Sequence, residues 1–183
     1  MSGPVLPGVI RQIGYIVQDF DKALAEFLAL GVGPFYVLRG IEQTGIYRGQ
    51  ECTVTLTLGL ANSGDLQIEI IHQHNDAPSI YSEFTAAGGD GFHQLAYWAE
   101  DFDAALAAGQ SAGWPVVWSG GEPGTARYAY FEPPPGTAAT IIELMELTPA
   151  TIGMGELVRS AAADWDGSDP IRTLFDARPP DPA

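Results

Sequence analysis

The sequence is poor in positive charge, in cysteine and in histidine, and it has no long apolar run. Eight Lys and Arg stand against 23 Asp and Glu, giving a formal net charge of -15. A surface this acidic repels phosphate backbones and anionic lipid, which argues against nucleic acid and membranes as partners. It favours neutral or cationic ligands, and anionic ones only in a shielded pocket. The single cysteine, Cys52, excludes an internal disulfide. It lies in the alternating run "ECTVTLTLGL", where packing is the expected role. No stretch approaches the ~18 apolar residues of a membrane span. The opening "MSGPVLPGVI" lacks the basic and apolar regions of a signal peptide. A soluble cytoplasmic protein is the default expectation.

What is present is enough for a core. The chain has 183 residues, 46% of them hydrophobic, which suits one domain or two small modules sharing a core. An internal repeat favours the second arrangement. Gln12–Ala25 aligns with Gln94–Ala107 without a gap, and eight of the fourteen positions are identical. Tyr15 matches Tyr97, and Asp-Phe-Asp recurs at 19–21 and 101–103. Each copy opens with a β-branched and aromatic strand, "QIGYIV" or "QLAYWA". An Asp then offers a helix N-cap, Asp19 or Asp21 in one copy and Asp101 or Asp103 in the other. Phe20, Leu24, Phe27 and Leu28 follow at helical spacing, and Phe102, Ala105, Leu106 and Ala112 do so more weakly. Gly31 and Gly113 supply the stops. Three strand signals follow each helix, so each half reads as βαβββ. The expected units are 9–74, 91–147, and a C-terminal helix and extended arm over 148–183. That helix carries apolar Ile152, Leu157, Ala161 and Trp165.

Two acids stand out. Glu69 in "QIEII" and Glu143 in "IIELM" each sit within an apolar strand near the end of their half. A carboxylate there must be paired, solvated by a cavity, bound to a metal, or turned out to solvent by strand alternation. Tyr128 and Tyr130 share one face of a neighbouring strand, and Trp98 closes the second repeat strand. All three are candidates to line a binding cavity, with core packing the alternative.

The repeat, the paired βαβββ order and the closing "FEPPPGTAATIIEL" resemble the vicinal oxygen chelate superfamily. That group includes glyoxalase I, methylmalonyl-CoA epimerase, bleomycin-resistance proteins and extradiol dioxygenases. The resemblance covers about residues 9–147. It implies an α+β fold in which two βαβββ modules form cupped mixed sheets. It also implies a homodimer, because open cups leave sheet edges that pair or pack between subunits. Ligand positions carried over from the family are Gln12, Glu69, Gln94 and Glu143. The third is normally histidine in the family. Here His93 falls one position early, and alternation turns it to the opposite, helix-packed face unless a bulge resets the register.

These positions leave two kinds of chemistry open. As a metal site, two amide oxygens and two carboxylates suit Mg²⁺, Mn²⁺ or Ca²⁺. With His93 in place of Gln94, the set suits Zn²⁺, Ni²⁺, Co²⁺ or Fe²⁺. Without metal, two close carboxylates in a poorly solvated cup cannot both ionise cheaply, and one becomes a general acid or base. Gln12 and Gln94 then orient the substrate. The expected activity is a lyase, isomerase or epimerase of glyoxalase type, moving a proton next to a carbonyl of a small molecule. The alternative is a bleomycin-resistance-like binding protein for an aromatic or cationic compound. A dioxygenase would need a triad of two histidines and one carboxylate, which these positions do not supply. His72 and His74 read as exposed, "PSIY" (78–81) as a possible border of the pocket, and "SGGEPGT" as a loop without phosphate-binding spacing.

Overall fold

The computed structural model describes residues 3–136 and 141–173 of the chain. The first half contains β1 (Ile10–Ile16), α1 (Phe20–Ala29), β2 (Phe35–Tyr47), β3 (Gln50–Ser63) and β4 (Leu66–Gln73). The connecting segment forms a short helix, α2 (Ile80–Ala86). The second half repeats the order with β5 (Gly91–Ala99), α3 (Phe102–Ser111), β6 (Val116–Gly120), β7 (Tyr128–Phe131) and β8 (Ile141–Glu146). Then come α4 (Pro149–Ala163) and β9 (Ile171–Thr173). The fold is α+β, a mixed sheet curled into a barrel-like cup. Among the described residues, no helix is long and apolar enough to cross a membrane.

Local chemistry explains the repeated unit. Of the candidate caps, Asp19 and Asp101 do the capping, each accepting from the backbone N–H three residues on. Such a cap contributes about 1 kcal/mol. Gly31 and Gly113 both take positive φ just past their helices, where a side chain would be strained. Phe20 and Leu24 of α1 bury against Ile68 and Ile70 of β4. Phe102 and Ala105 of α3 bury against Phe131, Ile142 and Leu144. Each helix thereby claims one face of its own sheet and leaves the other face to the cup.

Strand order sets what the cup contains. β1 and β5 pair antiparallel at the centre, flanked by β4 and β8, which run parallel to them. The outer strands follow as β3 on one side and β7–β6 on the other. β2 pairs with β3 and also with β6, through Gly45–Gly120, Ile46–Ser119 and Tyr47–Trp118. That three-pair seam turns eight strands into a closed barrel, and β9 adds to the first residues of β2.

Several sequence expectations are corrected. β2 runs on through "IEQTGIY" to Tyr47, a stretch without a strand signal of its own. The segment between the halves holds α2, whose Ser79 caps the helix through Tyr81 and Ser82. α4 does not bury the apolar positions expected of it. Ile152 and Leu157 stay exposed, and the helix docks through Gly155, under the Trp98 ring, and through buried Val158. Small residues let α4 approach closely, so its buried face carries no bulky apolar signature.

Candidate functional site

The cup-facing side chains follow from strand alternation. On β1, Ile13 and Tyr15 pack towards α1, which leaves Gln12, Gly14 and Ile16 on the other face. On β4, Ile68 and Ile70 belong to the α1 side, which leaves Gln67, Glu69 and Ile71 inside. On β5, Leu95 and Tyr97 meet the α3 side, which leaves Gln94, Ala96 and Trp98 inside. β7 contributes Tyr128 and Tyr130, and β8 contributes Ile141 and Glu143. α2 sends Ile80 and Tyr81 into the same space, against Trp118, Val54 and Leu56.

A hydrogen-bonded chain runs through this interior. Gln94 is fully buried, and its Nε2 donates to Glu143 Oε2 at 3.2 Å and to Tyr130 Oη at 3.1 Å. The Tyr81 and Tyr130 hydroxyls lie 3.3 Å apart. Gly14 makes room for Gln94, because a Cβ there would fall within 2.7 Å of Gln94 Cγ. The matching Gln12 behaves differently. Its Nε2 donates to Gln67 Oε1 at 2.8 Å, two residues before Glu69 on the same strand face.

His93 is not on the α3 face. Gly14 pairs with Gln94 but Tyr15 pairs with Phe92, so His93 is the extra residue of a bulge. The bulge overrides simple alternation. The imidazole packs edge-on against Phe84 of α2, 4.9 Å between centroids, and its Nδ1 meets Gln94 Oε1. An amide oxygen only accepts, so Nδ1 carries the proton. Burial pushes the His93 pKa down to about 4, so the ring is neutral at neutral pH. A neutral ring here sets which way the Gln94 amide points.

Both acids are shifted. Burial pushes Glu143 up to about 7, against the opposing pull of its bonds from Gln94 and Tyr130. Glu69 is pushed well above the usual carboxylate range by burial and then by the charge of Glu143. Glu143 has donors and ionises first, whereas Glu69 receives no hydrogen bond among the described residues and keeps its proton. Glu69 is the less buried of the two acids and keeps part of its surface accessible. Five surface cavities of about 280 to 720 Å³ are lined by neither acid nor by Gln94.

The structure thus brings Glu143, Gln94 and Tyr130 into one bonded group, with Glu69 within electrostatic reach. Tyr128 faces the same core, and its hydroxyl has no partner. Trp98 shares the cup face but sits against α4 and takes no part in these bonds. Sequence reasoning missed Gln67 and Trp118. Gln67 was findable, since it lies two residues from Glu69 and therefore shares its face. Tyr81, the last residue of "PSIY", proves to be a wall of the cup. His72 and His74 stack edge-on, bonded to Val17 and Thr57, with His72 half-buried.

In this arrangement the four implied ligands do not fit a metal. Gln94 turns its N–H towards Glu143, while its oxygen is taken by the His93 N–H. Among the described residues, no three His, Cys, Asp or Glu side chains converge.

Comparison with known proteins agrees with the topology. The family model of the glyoxalase/bleomycin resistance protein/dioxygenase superfamily matches residues 11–131. The chain belongs to that superfamily, the vicinal oxygen chelate proteins. Methylmalonyl-CoA epimerase from Mycobacterium tuberculosis superposes with a TM-score of 0.55 at 22% identity, over 84% of this chain and 96% of that one. A hypothetical protein from Bacillus halodurans C-125 gives 0.56 at 15% identity, over 76% and 94%. A Streptomyces coelicolor methylmalonyl-CoA epimerase variant in complex with 2-nitronate-propionyl-CoA gives 0.50 at 20%, over 78% and 95%. At these identities the likeness is one of fold. No curated protein matches the chain.

Proposed function

We propose that the chain is a small-molecule isomerase or epimerase that moves a proton next to a carbonyl, with Glu143 and Glu69 as its acid–base pair. The observation that carries this is the pair itself: two carboxyls in one enclosed cup, both raised, one held by donors and one not. A base that titrates near the working pH combines the right protonation state with useful basicity. In the proposed cycle, ionised Glu143 takes the proton from the carbon beside the carbonyl, leaving an enolate. Protonated Glu69 returns a proton to that carbon from its own side. The C–H bond broken and the C–H bond formed balance, and nothing is oxidised or reduced. Gln94 and the tyrosine hydroxyls are the available donors for the enolate oxygen. The test is exchange of the α-hydrogen in D₂O, followed by NMR over a panel of carbonyl compounds. Exchange that survives unchanged in Glu143→Gln would sink the assignment. The aromatic walls, Tyr81, Trp118, Tyr128 and Tyr130, favour a second reading, a binding protein that sequesters an aromatic compound. Saturable binding with no exchange in any compound would select it.

A further inference from the structure

Resting on that reading, we infer that the substrate is an uncharged carbonyl compound with an apolar or aryl body, and not a CoA thioester or a carboxylate. The inference comes from where the cations are. Of the eight barrel strands, only β1 and β2 carry one, Arg11 and Arg39. Both are exposed, and Arg39 is bonded to Asp21 of α1, outside the cup. α2, which covers the interior, has none. The cup therefore holds two carboxyls and no lysine or arginine to offset a bound anion.

The outer surface offers no substitute. Arg48, at the tip of the β2–β3 hairpin, is shared between Glu83 at 2.8 Å and Glu132 at 3.1 Å. Arg127 is held by Glu146 at 2.7 Å and Asp103 at 2.8 Å. Lys22, Arg159 and Arg172 each face a nearby carboxylate. Arg11 alone among the described cations has no ion pair. The two cavities it lines also carry Glu100 and Asp101, or Arg159 together with Asp65 and Glu156. The remaining cation, Arg178, lies outside the described residues. Recognition of phosphate draws on clustered Arg and Lys or a helix N-terminus. Of the described cations, all but Arg11 are paired with an acid.

Charge of the opposite sign is disfavoured for a different reason. A cation beside Glu143 would favour its ionised form and lower its pKa, weakening it as a base. A neutral carbonyl avoids both penalties. Its oxygen can accept from a hydroxyl donor, and the side chains that surround the acids are aromatic and apolar.

A matched series tests this: phenylacetone, phenylacetate and phenylacetyl-CoA, which share a benzylic carbon and differ in charge. Equilibrium dialysis against the full chain at low salt should retain phenylacetone roughly tenfold more tightly than either anion. Added salt should narrow the gap by screening. Any result in which phenylacetone is not the best-bound of the three overturns the inference. α-Hydrogen exchange on the same compounds separates the two claims. Binding of phenylacetone without exchange removes the acid–base reading and leaves the ligand class. Exchange confined to phenylacetyl-CoA does the reverse.

Discussion

Glu69 and Glu143 stand on matching strands of the two halves, yet only Glu143 is held by donors. The same contrast separates Gln12, which bonds Gln67, from Gln94, which bonds Glu143 and Tyr130. The halves differ in their outer strands too. β2 and β3 form a hairpin of 13- and 14-residue strands that reaches across to β6, whereas β6 and β7 have five and four residues. One half covers the cup, and the other carries the polar network. A duplicated backbone thus fixes where the acids stand, and the neighbours of each decide how it titrates.

The sharpest break in that comparison is Glu143→Gln, which should cut α-hydrogen exchange by about 10²–10⁴-fold by removing the base. Glu69→Gln should act differently: exchange on the Glu143 side persists while inversion at the carbon is lost, measurable by chiral analysis of recovered substrate. Stability should follow the pair as well. Both folded pKa values lie above the unfolded carboxylate value, so the folded state binds more protons. Stability therefore falls as pH rises from about 4.5 through about 7, and goes on falling above that while Glu69 holds its proton. Urea titrations should show this decline, and Glu143→Gln should flatten it. Glu83 and Glu146, held low by Arg48 and Arg127, act in the opposite sense and at lower pH.

Smaller effects probe the supports. Gly14→Ala should cost roughly 1–3 kcal/mol through overpacking. Displacing Gln94 also removes a bond that lowers the Glu143 pKa, so the pH profile of exchange should move upward. Arg48→Met should cost about 0.5–1 kcal/mol, since Arg48 and its partners are roughly 40% exposed. Its clearer readout is faster amide hydrogen exchange at 45–47 and 118–120, the two sides of the seam.

The features legible in the sequence were those with local causes. Asp19 and Asp101 cap because a short carboxylate before a helix has few better partners. Gly31 and Gly113 stop helices because of backbone freedom. The repeat put Glu69 and Glu143 at matching places in apolar strands, and the resemblance to the superfamily implied that they face the cup. The features that were not legible depend on distant partners. Ile41–Tyr47 of β2 becomes strand because β3 and β6 lie beside it, not through its own composition. The His93 bulge follows from how β5 meets β1, and nothing in "FHQL" announces it. α4 docks through Gly155, a residue whose packing value is invisible until Trp98 is opposite.

The seam between β2 and β6 has a kinetic meaning. Three residue pairs close the barrel there, continued by the Arg48 N–H bond to the Val117 carbonyl. A ligand that must wait for those pairs to part meets a protein whose receptive fraction is small. Its apparent affinity is diluted by that fraction, and its arrival rate is capped by the opening frequency rather than by diffusion. Turnover would then be limited by the frequency of opening, however well the carboxyls are poised.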